Sequence, residues 1–232
     1  MPRPRTHDVD ELLDVAEQIV TETGTAGLTL RNLAAAAGVS NGSIYHAFSS
    51  KEELLARVWL RTAQRFLQRQ AEAVDAVLAH ADPDVDVDID IDRAAGIEAV
   101  VQAALTPVGL ARQYPAAARL FFMQRRDQLF SPQLSPSTVT ELESVQTRFT
   151  ALLIRLADAV WRRHDARAVD TIAACVVDLA GGLMRRQLLS GQGVDEHTGT
   201  RIAAATRAIL ALPLPEAPAR RARTSRPKRK ER

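Results

Sequence analysis

The stretch Thr29–Phe48, TLRNLAAAAGVSNGSIYHAF, decides the fold. It reads as two short helices packed at a steep angle around a tight turn, and such packing makes three demands. The crossing needs a small residue on the first helix, and Ala34 is there. The turn needs a residue that tolerates positive φ, and Gly38 follows four residues later. The inward positions must be apolar, and Leu30, Leu33, Ala37, Val39, Ile44 and Ala47 fill them. Thr29 and Ser40 stand where N-caps belong.

The second helix, Asn41 to Phe48, has an outer surface that plain packing does not explain. Asn41, Gly42, Ser43, Tyr45 and His46 are small or hydrogen-bonding, and none is negative. That surface suits a helix laid in a DNA major groove. Gly42 lets the helix end approach closely, while the other side chains reach base edges or phosphates. Lys51 adds a cation at the start of the next helix, where backbone N–H groups already favour a phosphate. With Thr29, Arg31 and Ser40 beside them, these residues form the expected DNA-contacting set. A helical hairpin without function is the competing reading of a lone Ala-x-x-x-Gly. The agreement of every inward and capping position, and the Phe48-Ser49-Ser50-Lys51-Glu52-Glu53-Leu54 that follows, tells against it.

Outward from this motif the pattern stays helical. Asp8 and Glu11 form a capping pair for a helix over 8–23, in which Val9, Leu12, Leu13, Ala16, Ile19 and Val20 recur at helical spacing until Gly24. Ser50 and Glu53 form a capping box for a long helix over 51–81. Residues 82–92, DPDVDVDIDID, alternate Asp with Val or Ile and are expected to be extended rather than helical. Their carboxylates are a poor calcium loop without a turn glycine, and a solvated connection is the simpler reading. Helices then resume over 93–105, 108–114 after Pro107, 116–130 after Pro115, Ser135-Pro136 to His164, 167–190 and 195–211. Pro213, Pro215 and Pro218 end regular structure. The chain therefore reads as all-α, with a flexible arm over 1–7, a three-helix reading domain over 8–53, a helical domain over 54–212 and a disordered basic tail over 213–232.

Composition agrees with this reading. Of 232 residues 46% are apolar and only 4% aromatic, which suits closely packed helices better than a sandwich or barrel. The single cysteine, Cys175, excludes an internal disulfide and a Cys-based zinc site. The net charge of +2 is unevenly spread. Residues 219–232 hold eight Lys/Arg against Glu231 alone, a local +7, which leaves 22 basic and 27 acidic residues, or −5, over 1–218. Nucleic-acid binding must therefore rest on the local motif, since the body is mildly acidic. The tail can add non-specific phosphate contacts or simply be solvated, and Arg3 and Arg5 of the arm can enter a minor groove or touch nothing. The uncharged run Ala99–Ala111 is short and holds Pro107, so no membrane span is expected; with no secretory leader, the chain is expected in the cytosol.

The first ~60 residues resemble the DNA-binding domain of the tetracycline-repressor (TetR) family of bacterial transcription regulators. The family pattern is met by Thr29, Ala34, Ala37–Ser40, Gly42–Tyr45, Phe48 and Lys51–Leu54, while Asn41 stands where the family often has Lys or Arg. The resemblance implies a homodimer on a palindromic operator and a small-molecule effector bound in a divergent C-terminal helical domain. It also implies a dimer interface built from helices about 167–190 and 195–211. One apolar stripe there is Val169, Ile172, Ala173, Val176, Val177, Ala180 and Leu183, with Gly181-Gly182 permitting close approach. Ile202, Ala205, Ile209 and Leu212 form another, and both stripes also fit burial in the chain's own core.

Bulky residues among many alanines shape cavities, so Tyr114, Phe121, Phe122, Met123, Trp161 and Cys175 are the candidate effector-pocket residues, with Arg126 to orient an acidic ligand. No nucleophile elbow, phosphate-binding glycine loop or His-Glu-x-x-His is present. Neither an enzyme, nor a cofactor, nor a metal is expected. The reading is a ligand-responsive regulator, most simply a repressor released by its effector. The alternatives are a helical small-molecule-binding protein or enzyme with a vestigial DNA-binding domain, and an architectural DNA binder with no effector.

Overall fold

The computed structural model describes residues 9–79, 89–123, 131–190 and 193–214. These hold helices α1 (Val9–Gly27), α2 (Leu30–Ala37), α3 (Asn41–Ala47), α4 (Lys51–Leu78), α5 (Ile89–Gln113) and α6 (Pro115–Met123). After these come α7 (Pro136–Trp161), α8 (Ala166–Ala173), a π-helical turn (Ala174–Leu179), α9 (Ala180–Ser190) and α10 (Glu196–Ala211). The described residues contain no strand, so the fold is all-α. The arm 1–7 and the tail from 215 lie outside them.

The N-terminal core forms as its apolar spacing requires. Leu12, Leu13, Ala16 and Val20 of α1 meet Leu28, Leu30, Leu33, Ala34, Ile44, Phe48, Leu54 and Val58 in one buried cluster. Gly24 breaks α1 with φ 71° and ψ −177°, and the chain turns there toward the buried Leu28. On the outside of this unit α1 is clasped to α4 by charge. Arg61 meets Asp14 and Glu17, and Arg65 meets Glu17 at 3.0 Å.

The larger core lies around α5. Ala99, Val100, Val101, Ala103 and Ala104 are wholly buried there, against α4, α7 and α10. Two expectations fail at this helix. It begins at Ile89, inside the Asp-rich run, and Asp92 is held there by Arg162 at 2.9 Å. It also runs straight through Pro107, where a break was expected. Proline has no N–H for the carbonyl four residues back, which is that of Ala103. The side chain of Gln70, wholly buried on α4, donates its amide to that carbonyl at 2.9 Å. A side chain from another helix thus replaces the missing backbone donor, and the helix survives. The continuous stretch Asp92–Gln113 is, by length and composition, apolar enough to cross a membrane, which the broken helix read from sequence hid; here more than half of its apolar stretch is buried inside the fold.

Other boundaries shift by a few residues. α4 ends at Leu78 rather than 81, and α7 ends at Trp161, with Arg162 capping it at φ 52°. The region 167–190 is not one uniform helix, for the π turn interrupts it. Core side chains there recur every four residues at Ile172, Val176, Ala180, Met184 and Leu188. A straight α-helix of 3.6 residues per turn carries such a series gradually off one face; a wider turn takes up part of that drift. Leu214, beyond the expected end of the body at Pro213, packs against the large core.

Where α5 crosses α7 the backbones nearly touch. A Cβ added at Gly96 would lie 2.4 Å from the Ala159 carbonyl oxygen, a backbone atom that cannot swing away. Gly96→Ala should therefore destabilise the fold by about 1–3 kcal/mol, despite the better helix propensity of alanine, as read by urea unfolding. A second test concerns Pro107. Gln70→Leu leaves the Ala103 carbonyl unsatisfied and should cost about 1–3 kcal/mol. In a Pro107→Ala background the backbone N–H returns, and the same Gln70 substitution should cost clearly less in a double-mutant cycle.

Candidate nucleic-acid interface and cavity

Helix α3 is short, and its ends are set by side chains. Thr29 caps α2 by accepting the Asn32 N–H at 3.1 Å, and Ser40 caps α3 by accepting the Ser43 N–H at 3.1 Å. Gly38 lies in the left-handed region at φ 67° and ψ 29°, and its N–H reaches the Ala34 and Ala35 carbonyls. Ile44 and Phe48 are fully buried and hold α3 to α1 and α4. Between them Tyr45 and His46 face outward, while Ala47 is half-buried against the same core.

Asn41, Gly42, Ser43, Tyr45 and His46 are exposed, Tyr45 to 61%, with Arg31 exposed on α2 beside them. An exposed tyrosine is a large apolar ring left in water that packing does not account for. Lys51 is half-exposed at the start of α4, where Ser50 accepts the Glu53 N–H at 3.0 Å. Ser40 and Ser43 also share a hydrogen bond at 2.9 Å. Thr29 and Ser40 therefore serve first as caps. The arrangement is a helix-turn-helix with one polar, uncharged face open to solvent.

A buried carboxylate ties the start of α4 to the start of α7. Glu53, only 3% exposed, was expected to close a capping box at Ser50. Its side chain instead accepts the Ser135 N–H at 2.9 Å, the Ser135 hydroxyl at 3.0 Å and the Thr138 hydroxyl at 2.6 Å. Arg57 adds a contact at 3.3 Å and bridges onward to Glu141 at 3.1 Å. Burial by itself would raise the Glu53 pKa; the hydrogen bonds from Thr138, Ser135 and Arg57 outweigh it and hold the carboxyl below its ordinary value.

A cavity of about 420 Å³ lies on the far side of α4 from α1. Trp59, Ala63, Phe66 and Leu67 of α4, Pro107 of α5, and Phe121 and Phe122 of α6 form three sides. Val145, Gln146 and Phe149 of α7 form another, and the last runs from Val176 in the π turn to Arg185 in α9. The aromatic rings interlock: Trp59 stacks on Phe121 at 5.2 Å, and Phe121 meets Phe122 edge-on at 4.9 Å. Trp59 also donates its indole N–H to the Phe121 carbonyl at 3.3 Å.

Of the residues proposed from sequence for a pocket, Phe121 and Phe122 line this cavity, whereas Tyr114, Trp161 and Cys175 do not. Tyr114 sits under Arg69 at 5.2 Å, beside a separate recess between α1 and α6. Trp161 packs against the large core. Cys175 is wholly buried, and burial pushes its thiol up to about 11, which removes it as a reactive group. Arg126 and the side chain of Met123 lie outside the described residues. Sequence reasoning missed Trp59, Phe66 and Phe149. A signal was available: aromatics are scarce in this chain, and Trp59 and Phe66 stand two turns apart on one face of α4. Among the described residues no cluster of three or more His, Cys, Asp or Glu is placed to hold a metal.

Residues 12–58 match the family model described as bacterial regulatory proteins, tetR family. The N-terminal unit is thus similar to the DNA-binding domain of that family. Its N-terminal segment is 47% identical over 45 residues to the HTH-type transcriptional repressor KstR2 of Rhodococcus jostii strain RHA1, 19% of this chain and 22% of that protein. The chain thus aligns with about a fifth of the length of the curated relatives it matches. Across the whole fold it is similar to the transcriptional regulator FadR of Bacillus subtilis, whose crystal structure holds stearoyl-CoA. That likeness has a TM-score of 0.57 at 13% identity and covers 88% of this chain and 96% of the other. A TetR-family transcriptional regulator from Streptomyces coelicolor matches with a TM-score of 0.55 at 21% identity, over 87% and 96% of the two chains. These structural likenesses speak for the fold.

The Glu53 lock is testable by pH. A carboxyl whose folded pKa lies below its unfolded value, about 4.3, contributes stability that is present above the unfolded value. That stability is lost as pH falls through the folded value. Wild-type protein should lose stability from about pH 5 downward, and Glu53→Gln should be less stable at pH 7 with a flatter pH profile below pH 5, in thermal melts across that range.

Proposed function

We propose that the chain is a transcriptional regulator that binds a palindromic operator as a homodimer and is switched by a small apolar effector. The observation that carries this reading is the outward face of α3, with Tyr45 61% exposed while Ile44 and Phe48 anchor the helix beneath it. Two such helices, related by a two-fold axis, would enter successive major grooves about one helical turn apart. Asn41, Ser43, Tyr45 and His46 would read base edges or phosphates; Arg31 and Lys51 would contact phosphate; Gly42 would allow the close approach. Lys51 has the start of α4 behind it, so backbone N–H groups support the same phosphate.

The cavity is the effector site in this reading. Its walls are mostly apolar and aromatic, with Gln146, Asp178 and Arg185 as the polar groups, which suits an apolar body with one polar end. The fold is shared with a FadR that holds stearoyl-CoA, and this supports an apolar effector. Helix α6 joins cavity to reader. Phe121 and Phe122 line the cavity, while the neighbouring Leu120 is buried in the N-terminal core with Leu12 and Ile44. Displacing the two phenylalanines moves Leu120 and hence the seat of α3. An effector that binds the non-operator arrangement better by ~1–3 kcal/mol per site suffices for release. The protein acts as a binding protein in the cytosol, without catalysis.

Footprinting beside the protein's own gene and across the genome is the deciding experiment; a protected inverted repeat is expected, and its absence at every locus would remove the reading. Tyr45→Ala and Lys51→Ala should both weaken operator binding. Only the lysine change should lower the slope of log K against log salt, by about 1.

A further inference from the structure

We propose that the π turn Ala174–Leu179 holds one surplus residue, and that this residue sets which ligands the cavity takes. The fold does not need it; the cavity wall does. This rests on the cavity being the effector site and names the element that makes the site selective.

The surplus is visible in the spacing of the core side chains. Ile172, Val176, Ala180, Met184 and Leu188 are all buried, at intervals of four residues. Each α-helical residue turns the chain by about 100°, so in an unbroken helix Leu188 would stand about 160° round from Ile172 and face away from the core. It is instead 3% exposed and packs in the same cluster as Ile172. A π turn closes its hydrogen bonds at i→i+5 in place of i→i+4 and so takes up an extra residue. With one residue fewer in the count, Leu188 comes back to about 60° from Ile172, within the width of an ordinary buried stripe. An α-helix shorter by one residue would therefore carry the same side chains into the same core.

What the turn adds lies at the cavity. Within it Cys175 and Val176 are buried, while Val177 and Asp178 are exposed. Val176, Val177 and Asp178 line the cavity one after another. The walls on α4 and α7 are regular helix and carry the rings of Trp59, Phe66 and Phe149. The π turn is thus the part of the lining that a single added or removed residue reshapes without disturbing the core. π turns are rare, and they occur most where a helix serves a site. Here the turn selects for the apolar body of the ligand.

Single-residue deletions test this. Deleting Val177 should turn 166–190 into one unbroken α-helix and move the thermal melt by no more than about 5 °C. Deleting Ala151, exposed on the regular helix α7, should abolish the cooperative melt. Leu142 and Val145 before it, and Leu152, Leu156 and Val160 after it, could then no longer be buried together. Ligand binding is read with anilinonaphthalene sulfonate, by energy transfer from Trp59 in a Trp161→Phe protein, where it is the sole tryptophan. The Val177 deletion should raise the dissociation constant of this probe at least about tenfold, whereas Val177→Ala, which keeps the turn, should change it by less than about threefold. If the Val177 deletion has no cooperative melt, the residue is not surplus. If the deletion folds and binds the probe as the full-length chain does, or if Val177→Ala loses as much binding as the deletion, the turn does not select the ligand. Each of these results overturns the inference and leaves the cavity as a ligand site. If the Trp161→Phe protein shows no transfer at any probe concentration, the cavity reading and this inference fall together.

Discussion

The carboxylate of Glu53 joins two parts of the molecule that the chain separates by more than eighty residues. Burying a carboxylate is costly unless its oxygens are filled with hydrogen bonds. Here the backbone N–H of Ser135 and the hydroxyls of Ser135 and Thr138 fill them, at the N-terminus of α7 where negative charge is favoured. The start of α4 and the start of α7 are therefore fixed to one another. Since α4 begins directly after the helix-turn-helix and α7 forms a wall of the cavity, this lock sets the reader's position relative to the cavity.

A second connection runs through α6. Successive side chains on a helix point about 100° apart, and α6 uses this to face two interiors. Leu120 belongs to the N-terminal core, and Phe121 and Phe122 belong to the aromatic wall. The charged clasp of Arg61 and Arg65 on Asp14 and Glu17 holds α1 against α4 outside the same joint. The unit is thus held by one buried polar lock and one apolar plug.

The helix-turn-helix was legible because its determinants are local. Thr29, Ser40 and Gly38 act within four residues of themselves, and the periodicity of Leu30, Leu33 and Ile44 states which face is buried. The long-range pairings were not legible. Gln70 rescues the Ala103 carbonyl from another helix, so Pro107 looked like a break when read alone. Glu53 looked like half of a capping box, since sequence shows which hydrogen bond is near and not which distant donor competes for it. The cavity was half visible: Phe121 and Phe122 were in view as scarce bulky groups, while Tyr114, Trp161 and Cys175 shared that signal and lie elsewhere.

The amino-acid sequence alone determined that the chain is helical, where its reading motif lies and which side chains that motif turns outward, because caps, turns and amphipathic spacing act over a few residues. Only the tertiary structure decided which apolar stripes are consumed by the chain's own core, which helix survives its proline, and where a cavity remains. Those outcomes depend on which distant surfaces meet, and a linear pattern carries burial without naming the partner.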